Sequence, residues 1–436
     1  MGSIMGRISL KTTAVLIVLV ASALAPATLA SGAEPGQPTT KAECMKGGWQ
    51  DFSNAGFRNQ GDCIRFVQTG VFTCRDLLGC VSYGEEEPLR LATALVTSGG
   101  LSFLGVDELQ GVEIALDLRG PALGHAVELS NVDSMCSFEG GEAAATAIVT
   151  DPTIAAVIGT SCSGAAGAAA PIISDAGLSM VSPSNTAPEL TDPDTHAAGY
   201  LRVAGNDRDQ GVAMAEFVTG DGAATSAVIF DGSAYAGGLA EAFVETFEAL
   251  GGTNLAFEMA EPDGSDVASV IAAIVAAGPP DVLFLPVLYP LGAVLVAEAR
   301  ATPVLDGTLL ASADGLLVGD FFADVGADAQ GMAFSATDFS YESTPEYLAF
   351  LASYIAEFGF PASPFHAMAA DATNVILSAI EEVAVVDGSG TLHIGRQALR
   401  DALFATAGFE GLTGTITCDP LGDCGAHGYE VIVPVP

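Results

Sequence analysis

Short apolar runs and amphipathic stretches alternate along the chain from Leu89 onward. Leu91–Val96 (LATALV) reads as a short buried strand, and Gly111–Leu118 carries a helical apolar face. His125–Leu129 alternates as a strand does. Glu142–Thr150 is an Ala-rich helix closed by Asp151-Pro152. Ala155–Gly159 and Leu178–Val181 are two more apolar strands. The same beat returns at Ser226–Phe230 (strand), Gly238–Leu250 (helix), Val282–Leu285 (strand) and Ala293–Arg300 (helix). Strands alternating with helices build parallel sheets from βαβ units. About 350 residues of this pattern exceed one sheet and one core, so two α/β lobes are expected.

The segment before this repeat differs. Residues 1–30 read as a signal peptide, with Arg7 and Lys11 as its basic start and Ala14–Leu24 (AVLIVLVASAL) as its apolar centre. Small residues follow, so cleavage after Ala30 or Ala33 is expected. No cysteine stands there to carry a lipid anchor, and no later apolar stretch is long enough to span a bilayer. The protein is therefore expected outside the cytoplasm, in the periplasm or on the outer face of the envelope. Residues 31–40 form a Pro/Gly/Thr linker. Lys41 to Tyr83 holds four of the eight cysteines and the only tryptophan, Trp49. It reads as a small stapled module, because so short a segment needs crosslinks. Its Cys44-to-Cys63 loop either packs Trp49, Phe52 and Phe57 into a mini-core or displays them to an envelope partner. Gly84–Pro88 (GEEEP) is expected as a second linker.

Charge narrows the partners. Lys and Arg number 14 against 53 Asp and Glu, a formal charge of −39. Two of the 14, Arg7 and Lys11, lie in the first 30 residues. No basic patch can be assembled from the remainder, which excludes nucleic acid and disfavours anionic membranes. A solvated, self-repelling surface follows. All eight cysteines lie beyond the signal segment, as export requires. Cys44/Cys63, Cys74/Cys80 and Cys418/Cys424 are sequence neighbours, leaving Cys136 and Cys162. Eight cysteines allow about 105 connectivities, so spacing leaves the pairing open. The sequence has no C-x-x-C, and His125, His196, His366, His393 and His427 are scattered. No zinc site is expected.

Candidate chemistry gathers in loops that follow strands. Gly159–Gly164 (GTSCSG) joins a strand to an Ala/Gly-rich helix. Hydroxyls and free N–H groups at such a helix start suit a carboxylate or phosphate. A nucleophile elbow would need Gly where Ser163 stands. Ser182–Thr191 (SPSNTAPELT) puts Ser184, Asn185 and Thr186 at the next strand's carboxyl end, the edge where open α/β sheets bind ligands. In the second half, Asp231–Gly238 carries Tyr235 on a Gly-flanked loop. Asp314 follows Leu309-Leu310 and could meet a ligand ammonium. The sequence contains no dinucleotide fingerprint, phosphate loop, zincin motif or EF-hand loop, and no cofactor is expected.

These segments resemble a family. Cys136, Val157–Ser163 (VIGTSCS), Met180–Thr191 (MVSPSNTAPELT), Tyr200–Val203 (YLRV), Asp207 and Gln210-Gly211 are similar in order and spacing to the Leu/Ile/Val-binding group of type I periplasmic binding proteins. The resemblance covers about residue 89 onward. It implies two Rossmann-like lobes with parallel central sheets, joined by a three-strand hinge. Lobe 1 would take 89–205 plus 335–411, and lobe 2 would take 206–334 plus 412–436. The resemblance also implies a Cys136–Cys162 disulfide. Ser163, Ser184, Asn185 and Thr186 would hold a ligand's carboxylate and ammonium on lobe 1, Tyr235 would close over them, and Asp314 would stand where the family has glutamate. An aromatic of the family's second lobe maps near Leu288 or Tyr289, and one of its first lobe is Leu104 here. The implied function is non-enzymatic capture of a small zwitterion, a branched-chain or other amino acid, by a monomer that serves the membrane subunits of an ABC permease. Capture of amides, urea or another small polar solute, or a sensing role, are the alternatives. Residues 41–63 fall outside the resemblance.

Overall fold

The computed structural model describes residues 37–55, 57, 59–425 and 428–433. The expected signal peptide lies outside the described residues. Five parallel strands form a first sheet, in the order Val127–Asp133, Leu89–Leu95, Ile154–Gly159, Met180–Ser182, Tyr200–Arg202. Six strands form a second sheet, in the order Tyr429–Ile432, Ala333–Thr337, Leu309–Ala313, Val282–Leu285, Thr225–Phe230, Thr253–Met259. The second is parallel except at its Tyr429–Ile432 edge, which runs antiparallel. Central strands such as Ile154–Gly159 are buried along their whole length, because helices cover both faces. The pair Ser102–Arg119 and His366–Val383 covers one face of the first sheet. The pair Phe138–Val149 and Ser163–Asp175 covers the other. Each sheet thus has a core on both sides, and the fold is the two-lobed α/β arrangement implied by the resemblance.

The chain passes between the lobes three times: after Arg202, after Thr337 and before Tyr429. The crossings are bonded to one another. Arg202 bridges Asp423, and Asp338 N–H donates to Gly428 C=O at 2.8 Å. Two expected boundaries shift. Strand Ala333–Thr337 is paired on both sides within the second sheet, so the lobe boundary expected at 335 falls inside a strand. Residues 412–425 were expected with lobe 2, yet Ile416 and Cys424 are buried in the first lobe's core. Apolar burial decides that placement, and the crossing comes after Cys424.

Four disulfides are present: Cys44–Cys63, Cys74–Cys80, Cys136–Cys162 and Cys418–Cys424. The Cys-rich segment packs Phe57 and Phe66 around Cys44–Cys63, with Trp49 and Phe52 partly buried against them. It is not free-standing. Val385 of the first lobe completes its core, and strand Cys80–Tyr83 pairs antiparallel with Leu392–Gly395. Gly84–Pro88, expected as a linker, is a tight turn between Cys80–Tyr83 and Leu89–Leu95. Glu87 N–H donates to Gly84 C=O there at 2.8 Å.

Candidate functional site

A cavity of about 310 Å³ lies between the carboxyl ends of the two sheets. Strand ends supply its polar wall. Ser161 and Ser163 follow Ile154–Gly159, Ser184 and Thr186 follow Met180–Ser182, Tyr235 follows Thr225–Phe230, and Asp314 follows Leu309–Ala313. Parallel βαβ units place such loops on one edge of each sheet, and two sheets facing each other by that edge enclose a crevice.

On the first lobe, Ser163 opens helix Ser163–Asp175. The N-cap, Cys162, is bound to Cys136 and makes no side-chain cap. The helix start therefore keeps uncapped N–H groups, and Ser163 and Gly164 line the cavity. Ser163 Oγ accepts from the N–H groups of Thr186 and Ala187, both at 3.3 Å, which ties the two loops together. Arg202 secures the second loop from beneath. Its guanidinium donates to Ala187 C=O at 2.8 Å and to Thr191 Oγ1 at 2.6 Å.

On the second lobe, Tyr235 OH donates to Asp314 Oδ1 at 2.9 Å, and Gln210 Nε2 donates to the same oxygen at 3.1 Å. Burial pushes the Asp314 carboxyl above its ordinary range, against those two hydrogen bonds. Asp207 stands behind Thr186, whose Oγ1 donates to Asp207 Oδ2 at 2.8 Å. Burial, and then the Asp314 charge, raise Asp207 well above the usual carboxylate range. Oδ1 of Asp207 and Oε1 of Gln210 are buried without a hydrogen-bond partner. Asp314 is the carboxyl group of this cluster that lines the cavity, and it suits a cation.

Five of the six sequence-predicted ligand residues, Ser163, Ser184, Thr186, Tyr235 and Asp314, line this one cavity. Asn185 does not. Its Oδ1 lies in the core, near Thr160 Oγ1 and Tyr200 OH at 3.3 Å each. Tyr235 is not on a loop. Ser233 caps helix Ala234–Ala249, its Oγ accepting from Ala236 N–H, so Tyr235 is held in a helical first turn. Of the two candidates for the aromatic position, Leu288 lines the cavity. Tyr289 instead donates to Asp324 Oδ2 at 2.8 Å and meets the Phe103 ring across the lobes at 6.4 Å. Leu104, Phe138, Leu288 and Phe365 form an apolar wall. Phe138 and Phe365 carry no motif that marks them in the sequence. Glu108, buried behind Ser161 and Ser184, was also missed, because it stands mid-helix in an ordinary polar stretch.

Two α/β lobes with a polar crevice between their strand ends and three bonded crossings define a two-lobed solute-binding protein. The chain belongs to the periplasmic binding protein family, whose family model matches residues 88–424. A Leu/Ile/Val-binding protein homologue of Brucella melitensis is 26% identical over 341 residues, covering 77% of this chain and 88% of that protein. The Leu/Ile/Val-binding protein of Escherichia coli K12 is 31% identical over 193 residues, 42% of this chain and 51% of that protein. Among solved structures, the leucine-binding protein LivK of Thermotoga maritima is similar with a TM-score of 0.70 at 25% identity. That match covers 79% of this chain and 95% of the other.

Proposed function

We propose that this protein captures an α-amino acid with an apolar side chain between its lobes and delivers it to an ABC importer. One observation carries the reading: a single small cavity joins an uncapped helix start, an opposing carboxylate and an apolar wall. The helix start at Ser163 suits the ligand carboxylate. Asp314, braced by Tyr235 and Gln210, suits the ammonium. Leu104, Phe138, Leu288 and Phe365 suit an aliphatic side chain better than an amide or urea, which have none to bury. The names of the relatives, binders of leucine, isoleucine and valine, support the same class.

The protein acts by binding alone, as a monomer outside the cytoplasm, with the membrane subunits of a permease as its partners. Ser163 Oγ is occupied as an acceptor of two backbone N–H groups, and among the described residues no histidine lines the cavity to serve it as a base. The test is calorimetry on protein unfolded and refolded to strip carried-over ligand. Leucine, isoleucine, valine, small amides and urea are titrated at low and high salt. Saturable one-to-one binding of the aliphatic amino acids supports the reading. Binding of amides or urea alone moves the assignment to polar solutes.

A further inference from the structure

Glu108 sits within helix Ser102–Arg119 with no solvent exposure. Ser161 Oγ donates to its Oε2 at 2.5 Å, and Ser184 Oγ lies against its Oε1 in a short contact. Both serines line the cavity, and Glu108 stands behind them. Proton counting decides the state of this cluster. Ser184 Oγ also lies 2.8 Å from Ser161 C=O. Three acceptors, two carboxyl oxygens and that carbonyl, therefore compete for two hydroxyl protons. Ser161 Oγ already accepts from Val96 N–H at 3.0 Å, and its proton goes to Oε2. The one proton of Ser184 is left between Oε1 and the Ser161 carbonyl. An ionised Glu108, a side chain with no solvent exposure, would leave one of the three acceptors without a proton, which costs free energy.

One more proton, on Oε1, closes the count. Glu108 then donates to Ser184 Oγ, Ser184 donates to Ser161 C=O, and Ser161 donates to Glu108 Oε2. Each hydroxyl oxygen keeps one lone pair. We propose that Glu108 carries this proton in the ligand-ready site and acts as a positioning residue, fixing Ser161 and Ser184 as acceptors toward the ammonium of a bound amino acid. The inference rests on the function proposed above.

The surroundings agree. Burial pushes the Glu108 carboxyl up to about 8, with the two serine hydrogen bonds opposing and the Asp107 charge adding a little. Asp107, its neighbour on the same helix, is turned to Tyr354 OH, Ser363 Oγ and Ala362 N–H, each at 2.7 Å. On the packed helix His366–Val383, His366 faces Asp107 and Ser363, and Asp371 accepts from the Leu412 and Thr413 N–H groups. The loops that carry Ser161 and Ser184 bring no ionisable side chain to Glu108. No cation is paired with it among the described residues.

Glu108→Gln preserves the ring, since the amide N–H₂ donates to Ser184 and its oxygen accepts from Ser161. Glu108→Leu removes both bonds. The experiment titrates leucine into wild type and both variants at neutral pH. It also records the infrared difference spectrum of wild type minus Glu108→Gln without ligand. The expected result is near-wild-type affinity for Glu108→Gln and a loss of about tenfold or more for Glu108→Leu. The spectrum should show a protonated carboxylic acid band present only in wild type. Should Glu108→Leu fail to fold, Ser184→Ala replaces it, with the same loss expected. Equal losses in Glu108→Gln and Glu108→Leu, or no acid band in the difference spectrum, overturn the proposal. If wild type binds no amino acid, the reading of function fails and the ammonium assignment falls with it. The infrared band then still decides whether Glu108 holds the proton.

Discussion

The Nε of Arg202 donates to Asp423 Oδ1, joining a wholly buried guanidinium to a loop closed by the Cys418–Cys424 disulfide. Arg202 also holds Ala187 and Thr191, and Asn206 Nδ2 donates to the other Asp423 oxygen at 3.0 Å. One ion pair thus braces a ligand-side loop and two of the crossings together. Removing one partner of a buried pair strands the other. Arg202→Met is expected to lower stability by about 3–5 kcal/mol in urea unfolding. It should also weaken leucine binding in the fraction that stays folded.

Asp314 predicts opposite effects on stability and binding. Its burial disfavours the charge that an ammonium would reward. Asp314→Asn should therefore raise the melting temperature of the ligand-free protein. It should lower leucine affinity by about 2 kcal/mol or more, read by calorimetry. Parallel losses of stability and affinity would show that the carboxylate serves the fold instead.

The pH profile has two limbs with distinct owners. Burial pushes Asp423 upward, but its bonds and charge contact with Arg202 outweigh that and hold it below the usual carboxylate range. Its stabilisation is complete above the unfolded value and is lost as pH falls through the lowered folded value. Asp207, Asp314 and Glu108 are raised, so the folded state binds their protons more tightly than the unfolded chain does. Their effect is loss of stability as pH rises from the ordinary carboxylate range, ending for Glu108 near about 8. Thermal melts across pH should show a maximum on the acid side of neutrality. Asp423→Asn should flatten the acid limb, and Asp207→Asn the alkaline one.

Gly238 meets the other lobe. A Cβ built there would come within 2.6 Å of Pro188 Cδ. Gly238 lies inside helix Ala234–Ala249, where Ala is favoured over Gly by about 1 kcal/mol. The clash with the rigid Pro188 ring outweighs that gain, so Gly238→Ala should lower the stability of the ligand-free protein and weaken leucine binding severalfold. Unfolding curves and calorimetry on the same preparation separate the two effects.

Reduction offers a further check. The Cys136–Cys162 bridge closes a longer loop than Cys74–Cys80, with sequence separations of 26 and 6. Loop-closure entropy assigns it about 3–4 kcal/mol. The Cys136→Ser, Cys162→Ser double variant should lose roughly that stability. Its leucine affinity should fall too, because Cys162 sets the start of the helix that carries Ser163.

Much of this arrangement is legible in the chain. Apolar runs such as Val282–Leu285 mark the strands, and the hydroxyl-rich loops after Gly159 and Ser182 mark the crevice, because in such sheets the site follows the strand ends. What escaped depends on contacts between distant segments. Asn185 stands among true lining residues, but the turn directs it toward Tyr200. Gly232, Gly237 and Gly238 suggest a loop around Tyr235. Ser233 nevertheless starts a helix there, and Gly238 answers to Pro188 on the other lobe. Glu108 carries a charge in sequence, and only the two serines reached from other strands reveal its buried place.

The Cys-rich segment has a consequence of its own. The bonds that tie it down reach Gly388, Arg396, Gln397 and Ala398, together with Thr153, all on one side of the three crossings. It is therefore a passenger on a single half of a jointed body. An addition placed there gains a foothold without putting any of these bonds across the joint.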